Sequence, residues 1–169
     1  MNSKIIFIVG LMGSGKTSIG KLLSKKMEKK FFDTDKEIIG QENLTIGQIF
    51  KKFGEKYFRE LEYKTLSRLK DNIGCIISTG GGIVLKKENI DIMVGSGTII
   101  FLDINVEEQI NRIKNKKNRP LLNDQNLEND LLVMKNSRDP IYKSVADYTI
   151  NVSKKTKNEI VSGIEVYLK

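Results

Sequence analysis

The sequence has no histidine, no tryptophan, one cysteine and two prolines. Without histidine, a Ser-His-Asp triad, a Cys-His pair and a His-ligated zinc are all excluded. With Cys75 alone, neither an intrachain disulfide nor a thiolate metal cluster can form. At the start of a predicted strand, that cysteine reads as core filler. No apolar run approaches the ~20 residues of a membrane span. The run Ile5-Ile6-Phe7-Ile8-Val9 is too short for a signal peptide and leads into glycine-rich chain with no cleavage site. A cytoplasmic protein with no membrane partner is expected. The groups that remain are carboxylates, lysines, arginines, hydroxyls and backbone amides, a set suited to anionic substrates and oxygen-liganded metals.

The chain has 169 residues, 39% hydrophobic and 30% charged, an ordinary globular balance. Domains run to about 150 residues, so one domain over 1–169 is expected, long enough to bury a core without staples. Lysine and arginine number 29 against 21 acidic residues, for a net charge of +8. Most of the excess is lysine scattered along helices and turns. Aromatic residues do not interleave with it as they do in a base-stacking platform, so the charge reads as solvated surface and no nucleic acid partner is expected.

Short β-rich runs alternate with longer helical ones. Strands are expected at 4–9, 30–33, Ile76–Ser78, 98–102 and 148–152, from their β-branched, apolar character. Apolar residues at helical spacing mark 14–30, 46–53, 55–70, 89–94, Val106–Lys114, 127–138 and 158–168. Thr45-Ile46-Gly47-Gln48 has the spacing of a capping box. This alternation implies βαβ units, right-handed crossovers and an α/β fold with helices on both faces of a parallel sheet. The polar stretch 115–126 has no period and reads as a lid.

Gly10-Leu11-Met12-Gly13-Ser14-Gly15-Lys16-Thr17 matches G-x-x-x-x-G-K-[ST] in full, between a predicted strand and a predicted helix. Its glycines let successive N–H groups turn inward. The helix N-terminus adds about half a positive charge. Lys16 brings a full charge to the β- and γ-phosphates, and Thr17 offers a hydroxyl to Mg²⁺. The ATP-binding stretch is Gly13, Ser14, Gly15, Lys16, Thr17 and Ser18. The motif marks a nucleoside-triphosphate binder and leaves the acceptor open. The chain lacks an Asn-Lys-x-Asp tetrad at a strand end, which a guanine reader needs, and a motor or helicase needs more chain. A small kinase is the natural reading.

On the acceptor side, Phe32-Asp33-Thr34-Asp35 lies at the carboxyl end of the second strand, where open α/β sheets bind ligands. If that end stays extended, Asp33 and Asp35 point the same way, one toward the metal shell and one toward a hydroxyl; the alternative is a helix N-cap cluster. Thr79-Gly80-Gly81-Gly82 follows the third strand and offers bare backbone. Arg59 is placed to pair with Glu62 at i+3. Arg112 ends a helix, Arg119 lies in the expected lid before Pro120-Leu121-Leu122, and Arg138 opens Arg138-Asp139-Pro140-Ile141-Tyr142. Arginine's fork suits carboxylate and phosphate.

In this order, the Gly10–Thr17 cradle, Asp33-Thr34-Asp35, Phe58-Arg59, Gly80-Gly81-Gly82, Arg119-Pro120-Leu121-Leu122 and Arg138-x-Pro140-x-Tyr142 make the chain resemble the shikimate kinase family over nearly its whole length. The resemblance implies a five-stranded parallel sheet in the order 2-3-1-4-5, an acceptor region about 33–62, and a monomer acting on ATP and shikimate with Mg²⁺. It implies that Asp35, Arg59, Gly81 and Arg138 bind shikimate. Asp35 would hold the 3-hydroxyl and take its proton, Arg59 and Arg138 would clamp the carboxylate, and the Gly81 amide would meet a ring hydroxyl. Phe50 and Phe58 would wall the pocket. Thr17 would ligate Mg²⁺ with Asp33 in its outer shell, Arg112 would stack on adenine, and Arg119 would reach the phosphates. Lys16, Asp35 and Arg119 would be the catalytic set. The segment after the last strand, 151–156, departs from the family's Arg-x-Pro-like adenine loop in having no proline. The residues leave open a kinase of another small hydroxy acid, such as gluconate, or a catalytically silent nucleotide-binding regulator.

Overall fold

The run Ile-Ile-Phe-Ile-Val forms β1 (Ile5–Val9), and each of its residues is buried. The structure, a computed structural model, describes residues 4–114 and 126–169. After β1 come α1 (Lys16–Met27), β2 (Phe31–Asp33), α2 (Thr34–Glu42), α3 (Ile46–Leu69), β3 (Ile76–Ser78), a short 3₁₀ turn (Ile83–Leu85) and α4 (Lys87–Ser96). The chain continues through β4 (Gly97–Asp103), α5 (Val106–Lys114), α6 (Leu127–Val145), β5 (Tyr148–Asn151) and α7 (Lys157–Leu168). The strands pair in parallel in the order β2-β3-β1-β4-β5, with Phe7 opposite Ile77 on one side and Ile99 on the other. This is the order that the resemblance implies. The chain builds β2 and β3 to one side of β1, then crosses to β4 on the other. The carboxyl end of β1 is therefore the switch point at which such sheets bind ligands.

Side chains alternate across a strand, and β1 divides its own between two cores. Ile5, Phe7 and Val9 join Leu66, Met93, Phe101 and Tyr142 on the face covered by α3, α4 and α6. Ile6 and Ile8 join Ile19, Leu23, Ile100, Ile160 and Ile164 on the face covered by α1 and α7. At about 1.5–3 kcal/mol for each large apolar side chain fully buried, the two cores together hold the sheet between its helix layers.

Helix boundaries follow local chemistry. The capping box at Thr45 and Gln48 starts α3, and Gly54, at φ 80°, breaks its geometry between the two helical runs of the sequence reading. Two elements differ from expectation. The extended end proposed for 33–35 is instead the start of α2: Asp33 is its N-cap, accepting from the Lys36 N–H at 3.3 Å, and Asp35 lies in the first turn. The helix expected to end at 138 runs through Pro140 to Val145. A proline inside a helix removes a backbone hydrogen bond. Here Tyr142, Ile141 and Val145 pack into the first core and hold the last turns in place. Among the described residues, no helix is long and apolar enough to cross a membrane. The expected lid, including Arg119, falls on 115–125, outside the described residues apart from Asn126.

Candidate active site

The loop from β1 to α1 is held from outside by α5. Arg112 donates to the carbonyls of Gly13 at 3.4 Å, Ser14 at 3.5 Å and Val152 at 3.0 Å, while Glu108 fixes its Nε at 3.0 Å. Gln109 donates to Met12 O at 2.8 Å. These bonds engage the carbonyls of Met12, Gly13 and Ser14 from the α5 side. Gly15 caps α1 in the left-handed region at φ 95°, a conformation that glycine adopts without penalty. Lys16 is almost fully buried, and its ammonium donates to Leu11 O at 2.8 Å. Val152 also joins this frame, so the proline-free segment after β5 is tied to the loop through Arg112.

Thr17 Oγ1 donates to Asp33 Oδ2 at 2.6 Å, linking the first turn of α1 to the end of β2. The hydroxyl proton is used on Asp33, so the oxygen lone pairs remain available. Lys16, Thr17, Ser18, Asp33 and Asp35 all line one cavity of about 320 Å³, together with Gly13 and Gly15. The carboxylates of Asp33 and Asp35 thus share the cleft even though Asp33 ends β2 and Asp35 lies in the first turn of α2, rather than both on one extended end.

The same cavity is also lined by Phe50, Phe58, Arg59, Glu62, Gly80, Gly81, Gly82, Met134 and Arg138. Phe50 and Phe58 meet at 4.8 Å between ring centroids. Arg59 pairs with Glu62 at 2.6 Å, as its spacing predicts, and with Glu55 at 2.8 Å and 3.1 Å. Of the guanidinium's five N–H donors, three are used in these bonds, so among the described residues two remain for a ligand. A Cβ at Gly82 would collide with this guanidinium, so the bare glycine is what lets Arg59 lie against the turn. Arg138 reaches the same turn from α6, donating to Gly81 O at 3.2 Å.

Glu62 is a site residue that the sequence showed merely as a partner for Arg59. Its side chain is fully buried, and its Oε1 has no hydrogen-bond partner among the described residues. Burial pushes its carboxyl up to about 7 from the ordinary 4.5, against the Arg59 guanidinium, which lowers it, and with the Asp35 charge adding to the rise. The folded state then holds this proton more tightly than the unfolded chain does. The resulting stabilisation is complete below about pH 4.5 and is lost as the pH rises through about 7. Urea denaturation should show the protein losing roughly 3 kcal/mol relative to Glu62→Gln between about pH 4.5 and 8. An identical pH response in both would mean that Glu62 titrates as it does in the unfolded chain.

The structure thus brings together Gly13, Gly15, Lys16, Thr17, Ser18, Asp33, Asp35, Phe50, Phe58, Arg59, Gly81 and Arg138 around one cavity. Ser14, buried within the loop, and Arg112, behind it, do not line the cavity, and Arg119 is outside the described residues. Sequence reasoning missed the ion-pair cluster in which Lys135 bridges Asp103, at 2.7 Å, and Asp139. It ties α6 to the end of β4, and its i,i+4 half was visible in the spacing.

Residues 12–169 match the family model for shikimate kinase. A shikimate kinase of Sulfurihydrogenibium sp. is 39% identical over 98% of this chain and 98% of its own length. One from Dehalococcoides mccartyi is 41% identical over 95% of this chain and 90% of its own. Among solved structures, shikimate kinase from Acinetobacter baumannii in complex with shikimate superposes with a TM-score of 0.94 at 34% identity, covering 98% of this chain and 92% of that one.

Proposed function

The chain belongs to the shikimate kinase family, and from that premise we propose how its residues carry the reaction. The enzyme transfers the γ-phosphoryl group of ATP to the 3-hydroxyl of shikimate, a step of chorismate and aromatic amino-acid biosynthesis. The observation that carries the assignment of roles is one cavity lined both by Lys16 and Thr17 of the phosphate loop and by two arginines, Arg59 and Arg138. Phosphate and a compact carboxylic acid can therefore lie side by side.

Phosphoryl transfer is catalysed mainly by positioning and charge neutralisation. The loop N–H groups and Lys16 take the phosphates, with Ser18 beside them. Asp35 holds the 3-hydroxyl and accepts its proton as the oxygen bonds to phosphorus. Arg59 and Arg138 clamp the shikimate carboxylate, the Gly81 amide meets a ring hydroxyl, and Phe50 and Phe58 cover the ring. Arg112 stacks on adenine from its place beside the loop. Arg119 keeps its role at the phosphates on sequence grounds.

Mg²⁺ fits the oxygen donors present. Thr17 keeps its lone pairs because its proton goes to Asp33, and Mg²⁺ takes few protein ligands beside phosphate and water. Thr17 would hold the ion directly and Asp33 through its outer shell. When bound, Mg²⁺ supplies neutralisation of phosphate charge. The proposed unit is a monomer, and the proposed compartment is the cytoplasm.

ADP release with and without shikimate tests the function. Release is expected to depend on shikimate, and equal release without it, or a preference for gluconate, would overturn the assignment. The acid clamp has its own test. Arg59→Lys and Arg138→Lys keep the charge and lose the fork, so each should weaken shikimate binding by about tenfold while ATP affinity hardly changes. Calorimetry showing equal losses for both ligands would move these arginines out of the acid site.

A further inference from the structure

The glycine turn after β3 has a support that the reaction scheme above does not use. Tyr142, on α6, is fully buried in the first core, and its ring stacks on Phe101 with centroids 4.9 Å apart. Its hydroxyl leaves that apolar setting at one point, where it donates to the Gly81 carbonyl. Arg138, one turn earlier on the same face of α6, donates to the same oxygen at 3.2 Å. Burial pushes the Tyr142 hydroxyl well above the ordinary tyrosine range, so it stays a donor at any working pH.

The neighbouring N–H groups show what this bond organises. Thr79 N–H is committed to Ile8 O at 3.1 Å, Gly80 N–H to Thr34 Oγ1 at 3.0 Å and Ile83 N–H to Gly80 O at 3.2 Å. Between them, the N–H groups of Gly81 and Gly82 have no acceptor among the described residues, although both glycines line the cavity. A peptide unit is planar, so pinning the Gly81 carbonyl also fixes the direction of the Gly82 N–H.

We propose that Tyr142 is a positioning residue for the acceptor: its hydroxyl fixes the Gly81 carbonyl, and through it the Gly82 N–H of the glycine turn, while sparing Arg138 for the carboxylate of the acid. The inference rests on the shikimate kinase reading. Its physical core is a division of labour on one carbonyl. With the tyrosine hydroxyl present, Arg138 is a second donor there and can turn part of its fork to the ligand. Without that hydroxyl, the carbonyl keeps Arg138 as its remaining side-chain donor, and bond and ligand compete for one guanidinium.

Steady-state kinetics on Tyr142→Phe test this, because phenylalanine preserves the ring and its stacking and removes the hydroxyl. The expected result is a KM for shikimate raised about fivefold, as the loss of one net hydrogen bond implies, with kcat and the KM for ATP changed by less than about twofold. Phe101→Leu is the control for packing: it loosens the ring's seat, lowers the urea midpoint and leaves the ratio of the two KM values unchanged. An unaltered shikimate KM in Tyr142→Phe, or an equal rise in both KM values, overturns the positioning role while the unsubstituted enzyme still turns over shikimate. Failure of the unsubstituted protein to phosphorylate shikimate overturns the functional reading, and the inference with it.

Discussion

Lys16→Ala is expected to lower kcat/KM by at least about a hundredfold, roughly 2.7 kcal/mol of lost transition-state stabilisation. The residue is 9% exposed, and its ammonium donates to Leu11 O, a carbonyl of its own loop. That neutral acceptor is a weak partner beside phosphate oxygens that carry charge and gain more as the phosphoryl group moves. The ammonium therefore meets more charge in the transition state than in bound ATP, the condition for an effect on kcat as well as on binding. The backbone cradle survives the substitution, so ATP should still bind, more weakly. A variant that keeps more than about a tenth of wild-type kcat/KM would remove Lys16 from the phosphate site.

Asp35→Asn is expected to cut kcat by about 10²- to 10⁴-fold, the range for losing a positioned general base. Asparagine keeps the size and most hydrogen bonds of aspartate but cannot take the hydroxyl proton. Asp35 sits in the first turn of α2, where a negative charge is also favoured by the helix dipole, so a small stability loss of about 0.3–1 kcal/mol accompanies the kinetic one. Single-turnover measurements separate the two effects, since stability does not alter the rate constant of the folded enzyme. A kcat within about threefold of wild type would leave Asp35 as a binding group for the hydroxyl and assign no proton transfer to it.

The sheet could be read because buried parallel strands are near-continuous apolar runs; β1 and β4 declare themselves in this way. The phosphate loop was legible for a similar reason, as its glycines, lysine and threonine each answer to a local chemical need. α2 escaped because it carries one fully buried apolar side chain, Ile38, and so shows no stripe. What starts it is the Asp33 cap, and Asp-Thr-Asp reads equally as a strand end. The length of α6 escaped because proline is a local signal, whereas the packing of Tyr142 and Val145 that overrides it involves β4 and the glycine turn, distant in sequence. Glu62 was visible as a charge one turn from Arg59. Its isolation from water depends on Asp35, Gly80 and Arg138 converging from three other segments, which no spacing in one helix can show.

The alternation of β1 between two cores has a consequence for how this enzyme can change. Ile6 and Ile8 face α7, which contributes no described side chain to the cavity, while Phe7 and Val9 face the helices that carry Arg59, Glu62 and Arg138. On the same face as α7, α1 does reach the cavity, through Lys16, Thr17 and Ser18, so it is substitutions confined to α7 that are felt as thermal tolerance, whereas those in α3 and α6 are also felt as substrate preference. Ile160, Val161 and Ile164 can drift, or be repacked by design, with melting temperature as the main quantity at stake. Two of the helices across the sheet have less latitude, because α3 and α6 both fill that core and carry Arg59, Glu62, Met134 and Arg138 on the walls of the cleft.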